Sequence, residues 1–428
     1  MRILHTSDWH IGHRLYERSR IDEHRQFLNW LLYIIKEEKI DALLVSGDIF
    51  DSALPSAEST DLYYQFLFRL YAETDASAVI IAGNHDSAIR LAAPKRFLAM
   101  ARIHVVGGIS DNLDECIITL DKENFNIAIA AVPYLSEGEL LSHVSFESQI
   151  DRARRYREAL KALYMQCLSK MSRRTPIMLM GHFFIHGGEV SESERSVQIG
   201  GSLPISARDL PPNIDYFALG HLHRPQRIKG REYPIVYSGS PLPMTFKEAT
   251  YDKKLYILDL QNEACKNGIA CPERNEGMEG WEDGSGETRR GGAYMLKSIT
   301  IPVFKELCRV SGNFNDVMAE ARSDRFNWQG KYIEVQLKLD APVLGASDAI
   351  RNAFAQRGGE VLVVEALSAK QISDSDMSAE EITAKSPEDI FAAFYKSKYG
   401  DDEQQQRLEE LMATFKELLA LASEEDKK

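Results

Sequence analysis

The sequence predicts a layered α/β fold that carries a smaller α+β unit and C-terminal helices. From residue 1 to about 260, short apolar runs alternate with helical patterns, as in sheets covered by helices. Glycines and polar residues follow directly after five of these apolar runs. With 428 residues, the chain is long enough for two or more domains.

Seven apolar, partly β-branched runs in the first 260 residues predict buried strands. These strands are expected at 3–6, 42–46, 78–82, 127–132, 176–180, 216–219 and 235–237. Apolar residues at helical spacing predict helices between them, at about 22–39, 62–70 and 150–171. We therefore interpret residues 1–261 as one α/β domain.

The α/β domain is followed by residues 262–295, which are rich in Gly, Glu, Asn and Arg. This composition predicts a flexible insertion or linker. Ordered patterns then resume and predict a small α+β domain at 296–370. Its strands are expected at 299–303, 332–339 and 361–364, and its helices at about 315–323 and 347–357.

Residues 371–428 predict a polar linker followed by two helices. The first helix starts at Ser386-Pro387, and the second carries an apolar stripe from Leu408 to Ala422. This stripe either packs on the protein's own body or docks on another chain. We favour docking, because the stripe follows a long polar linker.

The composition is typical of a globular protein from a reducing compartment. Hydrophobic residues make up 44% and charged residues 27% of the chain, and no apolar run of about 18 residues predicts a membrane span. The N-terminus lacks an apolar signal-peptide core, so a cytoplasmic location is expected. The net charge of the chain is −13, and much of the negative charge lies after Ser373. The overall charge is therefore compatible with a basic face elsewhere on the protein.

The ends of the predicted strands carry carboxylate, amide and imidazole groups. If these strands form one parallel sheet, their carboxyl ends share an edge, where α/β folds bind ligands. Such a mixed ligand set suits Mn, Fe or Zn, and there are enough ligands for two ions, with Asp48 as the natural bridge. The residues are Asp8, His10, Asp48, Asn84, His85, His182, His221 and His223.

A single histidine at a strand end is more often a satisfied core or surface residue than a metal ligand. Five such clusters, four of them containing a glycine, are hard to explain by coincidence. A pair of metals in such a site clamps the attacking and leaving oxygens of a phosphoryl displacement. The residues alone therefore predict a two-metal hydrolytic centre.

The motifs occur in the order of the five sequence blocks of the calcineurin-like metallophosphoesterases, and the chain resembles that family over about its first 240 residues. The motifs are Asp8-x-His10, Gly47-Asp48, Gly83-Asn84-His85-Asp86, Gly181-His182 and Gly220-His221-x-His223. The stretch from Met1 to Gly12, with Ser193-Glu194-Arg195, is more narrowly similar to the nuclease subunits of bacterial SbcCD complexes. The small domain and final helices resemble the DNA-facing cap and the partner-binding tail of those proteins.

The resemblance implies a role for each motif residue. One metal would be held by Asp8, His10, Asp48 and His223, and the other by Asp48, Asn84, His182 and His221, with Mn²⁺ as the expected ion. His85 would stabilise the phosphate or protonate the leaving oxygen. Either Asp86 or Asp51 would orient His85, and the sequence leaves that choice open.

The resemblance also implies a DNA nuclease with 3′–5′ exonuclease activity on double-stranded ends and endonuclease activity on single strands and hairpins. It would act with an SbcC-like ATPase in DNA repair, recombination and replication, as a homodimer within a heterotetramer. An alternative is another enzyme on the same fold, such as a phosphomonoesterase or a cyclic-nucleotide phosphodiesterase. A non-catalytic scaffold is a third possibility. The extra domain and the tail favour the nuclease.

Overall fold

The structure is a computed structural model, and it describes residues 1–110, 112–122, 125–142, 152–172, 174–191, 193–194, 205–260, 294–338, 345–367 and 411–412. Nearly all of the insertion predicted at 262–295 and nearly all of the predicted C-terminal tail lie outside this described part. No helix in the described part is both long and apolar enough to cross a membrane.

The strands are numbered in chain order. They are β1 (Arg2–Thr6), β2 (Arg14–Leu15), β3 (Arg18–Ser19), β4 (Ala42–Ser46), β5 (Ser77–Ile81), β6 (Ile103–Val106), β7 (Ile117–Lys122), β8 (Phe125–Ala131), β9 (Ile177–His182), β10 (Tyr216–Gly220), β11 (Gln226–Ile228), β12 (Ile235–Tyr237), β13 (Lys254–Asp259), β14 (Met295–Thr300), β15 (Leu307–Gly312), β16 (Tyr332–Lys338) and β17 (Glu360–Leu367).

The α-helices of the described residues are numbered in the same way. They are α1 (Ile21–Glu37), α2 (Ala57–Glu73), α3 (Ala88–Ala92), α4 (Lys95–Met100), α5 (Glu137–Ser142), α6 (Arg152–Lys170), α7 (Phe314–Arg322) and α8 (Ala346–Ala355).

Two six-stranded sheets form the large domain. The first has the order β14-β13-β1-β4-β5-β6, and β1, β4, β5 and β6 run parallel in it. The second has the order β11-β12-β10-β9-β8-β7, with β8, β9, β10 and β12 parallel. The layered α/β prediction is confirmed, but the expectation of a single parallel sheet is wrong. Apolar runs predict strands without revealing which strands pair.

The two sheets pack face to face over an apolar core. Ile3 and Leu44 from the first sheet belong to the same buried cluster as Met178, Met180 and Ala218 from the second. Strands of both sheets are therefore covered on both faces, which explains their continuous apolar runs. The carboxyl ends of β1, β4 and β5 come close to those of β9 and β10.

Helices cover the outer faces of the two sheets. Phe27 and Leu31 of α1 lie four residues apart and pack with Val45 in the core of the first sheet. Helix α2 begins at its cap Ser56, whose hydroxyl accepts a hydrogen bond from the Ser59 backbone N–H at 3.1 Å. Helix α6 covers the second sheet in the same way through its buried residues.

The small unit contains a parallel three-stranded sheet in the order β15-β16-β17, with α7 and α8 packed on it. The strand expected at 299–303 is instead β14, which pairs antiparallel with β13 at the edge of the first large sheet. The first sheet thus extends past residue 296, where the sequence pattern predicts the start of the small domain.

A short hairpin, β2 with β3, contacts the small unit. The Tyr16 hydroxyl at its tip donates to Glu334 of β16 at 3.4 Å, and Arg18 pairs with Glu360 of β17. The Tyr16 ring also lies 6.0 Å from that of Phe246. The hairpin follows the first motif directly, so it links the motif region to the small unit.

Candidate metal centre

The predicted motif residues surround one cavity of about 250 Å³ between the ends of the two sheets. Six of the eight strand-end residues line it, and buried Asp8 and His182 lie close to those lining residues. The lining comprises His10, His13, Asp48, Asp51, Asn84, His85, Ser193, Glu194, His221, His223 and Met244.

The backbone turns sharply after β1, β4 and β10, where polar motif residues follow the strands. Asp8, His10, Asp48 and His221 have positive φ angles of 51°, 46°, 51° and 101°. Such angles are uncommon for residues with a side chain and persist only where the surrounding structure enforces them. Here the first two motif loops are tied together, since the Asp8 backbone N–H donates to the Gly47 carbonyl at 3.0 Å.

Two of the motif glycines are required by close approach of the chain. A Cβ on Gly83 would lie 2.1 Å from Asp48 Oδ1, and a Cβ on Gly220 would lie 1.9 Å from the Ser46 carbonyl oxygen. Both contacts are far too short for any side chain. These glycines therefore let β4, β5 and β10 bring their ends together.

The first group of ligands contains Asp8, His10 and His223, whose ligand atoms lie within 4.8 Å of one another. Nε2 of His10 lies 3.1 Å from Nε2 of His223. Asp8 Oδ2 accepts from the Ser7 hydroxyl at 2.5 Å, and Asp8 Oδ1 accepts from the His221 backbone N–H at 2.9 Å. All three ligand side chains are buried.

The second group contains Asn84, His182 and His221. Asn84 Oδ1 lies 2.9 Å from Nε2 of His182 and 3.0 Å from Nδ1 of His221. Nδ1 of His182 lies 2.8 Å from the Ser46 carbonyl oxygen, which can only accept a hydrogen bond. Neutral His182 therefore carries its proton on Nδ1 and directs the lone pair of Nε2 towards Asn84.

Asp48 lies between the two groups. Its Oδ2 is 3.6 Å from Nε2 of His10 in the first group and 3.3 Å from Nε2 of His182 in the second. A carboxylate that reaches both ligand sets can offset the repulsion between two cations. Asp8, Asp48 and His182 also form one set of ligand atoms within 4.8 Å.

The donor set fits divalent metal ions. In the second group, the Nε2 lone pair of neutral His182 faces an amide oxygen and a carboxylate oxygen, so three acceptors converge at a point that a cation could occupy. Nε2 of His221 has no hydrogen-bond partner among the described residues. Ligand atoms about 3 Å apart are also what neighbouring positions of an octahedral ion with bonds of about 2.1 Å require.

The electrostatic environment of the buried centre favours positive charge. Burial lowers the pKa of His182, but the Asp48 carboxylate outweighs this and raises that pKa to about 9. Burial raises the pKa of Asp48, and His182 and His10 bring it well below its usual value. Burial, together with His182, lowers the pKa of His221 to about 3. A bound cation would supply the charge that protons otherwise provide.

His85 is held by the main chain of Asp51. Its Nδ1 lies 3.0 Å from the Asp51 carbonyl oxygen, and its backbone N–H donates to Asp48 Oδ1 at 2.8 Å. The carbonyl can only accept, so Nδ1 carries the proton and Nε2 remains for the cavity. The Asp51 carboxylate instead faces His10, with Oδ1 3.4 Å from Nδ1 of His10.

The Asp86 side chain does not orient His85 in this structure. Its carboxylate accepts hydrogen bonds from the backbone N–H groups of Gly83, Ile49 and Phe50 at 2.9, 3.0 and 2.9 Å. Asp86 therefore ties the loop after β4 to the loop after β5. Both carboxylates considered for His85 have other partners, and the orienting group is a backbone carbonyl.

Glu248 and Lys253 lie next to the centre and were not predicted. Glu248 Oε1 is 3.5 Å from Nδ1 of His223, and Glu248 Oε2 pairs with Lys253 Nζ at 2.8 Å. In the sequence these residues look like ordinary surface charges between β12 and β13. Only the fold shows that both are buried.

Comparison with known proteins places the chain in a family. The family model of the calcineurin-like phosphoesterases matches residues 1–225, and that of the type 5 capsule protein repressor C-terminal domain matches residues 303–399. Three similar proteins from bacteria all bear the name of the D subunit of the SbcCD nuclease.

The relative from Rhodobacter capsulatus is 31% identical over 92% of this chain and 94% of its own length. The relative from Escherichia coli K12 is 26% identical over 98% of this chain and 99% of its own length. The relative from Bacillus subtilis is 36% identical over 60% of this chain and 66% of its own length. The chain belongs to the calcineurin-like phosphoesterases and, within them, to the family of the SbcD nucleases, which are the nuclease components of SbcCD complexes.

Proposed function

We propose that the chain cuts DNA by hydrolysing phosphodiester bonds with two divalent metal ions at the cavity between the sheets. It is a metal-dependent phosphodiesterase of the SbcCD nuclease type. The observation that carries the two-metal proposal is the position of Asp48, whose Oδ2 lies within 3.6 Å of ligand nitrogens from both groups.

The proposed metal ligands follow the two groups described above. Asp8, His10, Asp48 and His223 would hold one ion, and Asp48, Asn84, His182 and His221 the other. When bound, the ions supply Lewis acidity towards a phosphodiester and lower the pKa of water. Mn²⁺ is the proposed ion, because the family resemblance implies it and the mixture of imidazole, amide and carboxylate donors, which suits Mn, Fe or Zn, is compatible with it.

His85 is the proposed proton donor to the leaving oxygen. Its Nδ1 is held by the Asp51 carbonyl, so Nε2 can carry or release a proton on the cavity side. Asp51 supports the centre in a second way, because its carboxylate lies beside Nδ1 of His10. Asp86 contributes by holding the two motif loops together.

The family supports the proposed substrates and partners. We propose double-stranded ends, hairpins and single strands of DNA as substrates, with 3′–5′ polarity on duplex ends. The relatives are named as components of SbcCD, so an SbcC-like ATPase is the proposed partner. DNA repair, recombination and replication in the cytoplasm, in association with the nucleoid, would be the setting.

The domain roles are also proposals. Residues 1–261 would form the nuclease domain, 296–370 the DNA-facing cap, and 371–428 the tail that docks on the ATPase, with 262–295 as an insertion. Because β14 pairs in the first sheet, the cap would begin after it. We assign no role to the insertion.

A homodimer within a heterotetramer is the proposed assembly. Helices α3 and α4, which follow the Asn84-His85-Asp86 motif, carry apolar side chains that are largely exposed. Ile89 is 85%, Phe97 75% and Met100 81% exposed. Exposed apolar patches of this kind commonly mark protein interfaces, and a second copy of the chain is the proposed occupant.

The test is an assay of the full chain with Mn²⁺, with and without the ATPase and ATP, on end-labelled duplex DNA, hairpin DNA and a phosphomonoester. We expect DNA cleavage, enhanced by the partner and ATP, and its loss in Asp48→Asn. Turnover of the phosphomonoester with intact DNA under every condition would replace the nuclease by a phosphomonoesterase. Loss of cleavage on metal removal, restored by Mn²⁺, is the accompanying control.

A further inference from the structure

Nδ1 of His223 contacts a chain of polar groups that have no role in the proposed reaction. Nδ1 of His223 lies 2.9 Å from the Ser193 hydroxyl oxygen, and that oxygen lies 2.6 Å from Glu248 Oε1. Ser193 comes from the segment after β9, and Glu248 from the segment after β12. The two segments therefore meet at a single imidazole.

Glu248 is a buried carboxylate with partners on both oxygens. It is 1% exposed, and its Oε2 accepts from Lys253 Nζ at 2.8 Å and from the Met244 backbone N–H at 3.1 Å. Lys253 also donates to the Ser240 hydroxyl at 2.9 Å and to the His223 carbonyl oxygen at 3.2 Å. The charge of Glu248 is thus balanced, and its carboxylate is fixed in position.

The proton positions follow from the acceptors. An ionised Glu248 can only accept, so the Ser193 hydroxyl donates to Oε1. The Ser193 oxygen then accepts from His223, which must carry its proton on Nδ1. In the neutral ring the lone pair of His223 is then on Nε2, which faces Nε2 of His10 at 3.1 Å in the first ligand group.

We propose that Ser193 and Glu248 are positioning residues for the first metal ion, which fix the tautomer and the ring orientation of His223. The inference rests on the proposed role of His223 as a metal ligand. Carboxylates that hold the outer nitrogen of a histidine ligand raise its basicity and commonly change metal affinity by about 10–100-fold. Glu194 assists, because its carboxylate accepts the His223 backbone N–H.

Ser191 provides a matched control within the same cluster. Its hydroxyl lies 3.0 Å from the same Glu248 oxygen and 2.9 Å from the Ser193 hydroxyl, but it is Ser193 that contacts the His223 ring. Ser191→Ala and Ser193→Ala remove the same atom from neighbouring positions. A role in packing alone predicts similar effects for both variants.

The test is Mn²⁺ binding to the full-length protein, measured by titration calorimetry with a two-site analysis. We expect one of the two sites to weaken about 10–100-fold in Ser193→Ala, with the other unchanged, and both sites to stay at wild-type affinity in Ser191→Ala. Ser193→Thr keeps the hydroxyl and should restore the affinity. Thermal unfolding of the metal-free variants checks that they are folded.

A second measurement needs no variant. Nitrogen NMR of ¹⁵N-histidine-labelled, metal-free wild-type protein should show a proton on Nδ1 of His223. An Nδ1 without a proton overturns the proposal, as does wild-type affinity in Ser193→Ala or an equal loss in both alanine variants. Wild-type protein that binds no Mn²⁺ overturns the proposed function as well, so the two failures are distinguishable.

Discussion

The ring of His85 is held by a backbone carbonyl, as the ring of His182 is. Nδ1 of His85 is bound to the Asp51 carbonyl at 3.0 Å and Nδ1 of His182 to the Ser46 carbonyl at 2.8 Å, but Nε2 of His182 also lies 2.9 Å from Asn84 Oδ1 in the second ligand group. The His85 ring contacts that of His10 edge to face at 4.8 Å, and one of its ring nitrogens lies within 4.8 Å of ligand atoms of His10 and Asp51. This arrangement suits a group that transfers a proton next to the metals.

His85→Ala should therefore lower the rate of DNA cleavage by about 10²–10⁴-fold and leave the binding of two Mn²⁺ ions intact. Cleavage assays and calorimetry on the same preparation give the two readouts. His186→Ala is the control, since His186 is an exposed histidine of the loop after β9. Activity at the wild-type level, or loss of an ion from the variant, would show that His85 has another role.

For individual residues, the sequence predicts which ones gather at the metal centre but not the hydrogen-bond partners of each. The spacing of the motifs predicts every residue that the structure brings together in the two ligand groups, because polar side chains at the ends of buried strands have little structural purpose. It could not show that Asp86 turns back to Gly83, Ile49 and Phe50. Neighbours in sequence, such as His85 and Asp86, can face different partners.

Strands and helices with a strong apolar pattern agree with the prediction. The helices expected at 22–39 and 150–171 correspond to α1 and α6, and the strand ends with polar residues all belong to central strands. Seven of the strands in the described part were not predicted, namely β2, β3, β6, β7, β11, β13 and β15. Of these, β7 and β11 lie at the edges of the second sheet, where the sequence mixes polar with apolar residues, whereas β13 is an interior strand with a buried run from Leu255 to Leu258.

A buried histidine links elements of the two sheets. His5 of β1 lies 2.9 Å from the Tyr216 hydroxyl of β10 and 3.2 Å from the Ser46 hydroxyl of β4. The Ser46 hydroxyl donates to the Ala218 carbonyl at 3.1 Å, so it accepts from Nε2 of His5. The neutral ring satisfies both contacts, and burial lowers the pKa of His5 to about 3.

This link predicts a pH dependence of stability. Since the unfolded chain binds the proton at about pH 6.5, His5 stabilises the fold fully above that pH and loses the contribution as the pH falls towards 3. The wild type should have a higher free energy of unfolding than His5→Gln at about pH 7.5. This difference should be smaller by about 2 kcal/mol at about pH 5.0. Urea unfolding of metal-free protein at both pH values measures it. A constant difference would mean that His5 is not buried neutral.

At the scale of the whole molecule, the metal centre is assembled from both sheets. Asp8, Asp48 and Asn84 come from the first sheet, and His182 and His221 from the second. Ions bound between them would hold the sheets together and stabilise the folded protein over the unfolded chain. Sequence patterns cannot reveal this division, because an apolar run contains no information about the sheet in which it pairs.

The exposed apolar side chains of α3 and α4 make the proposed dimer testable. Phe97→Glu should convert the full-length protein to a monomer in sedimentation velocity, because a charge would be buried at the interface. Val303→Glu is the control, since Val303 is 74% exposed and lies in the segment after β14. A Phe97→Glu variant that sediments like the wild type would move the dimer contact elsewhere.

The pairing of β13 with β14 has a consequence for how the gene can be edited. Asp259 and Met295 are direct partners across the two strands, so the segment between them leaves and re-enters the sheet at neighbouring points about 5 Å apart. Doubling the length of such a connection costs only about 0.6 kcal/mol in loop entropy. This position is therefore a natural place to insert a fluorescent or affinity module while both termini of the chain stay unmodified.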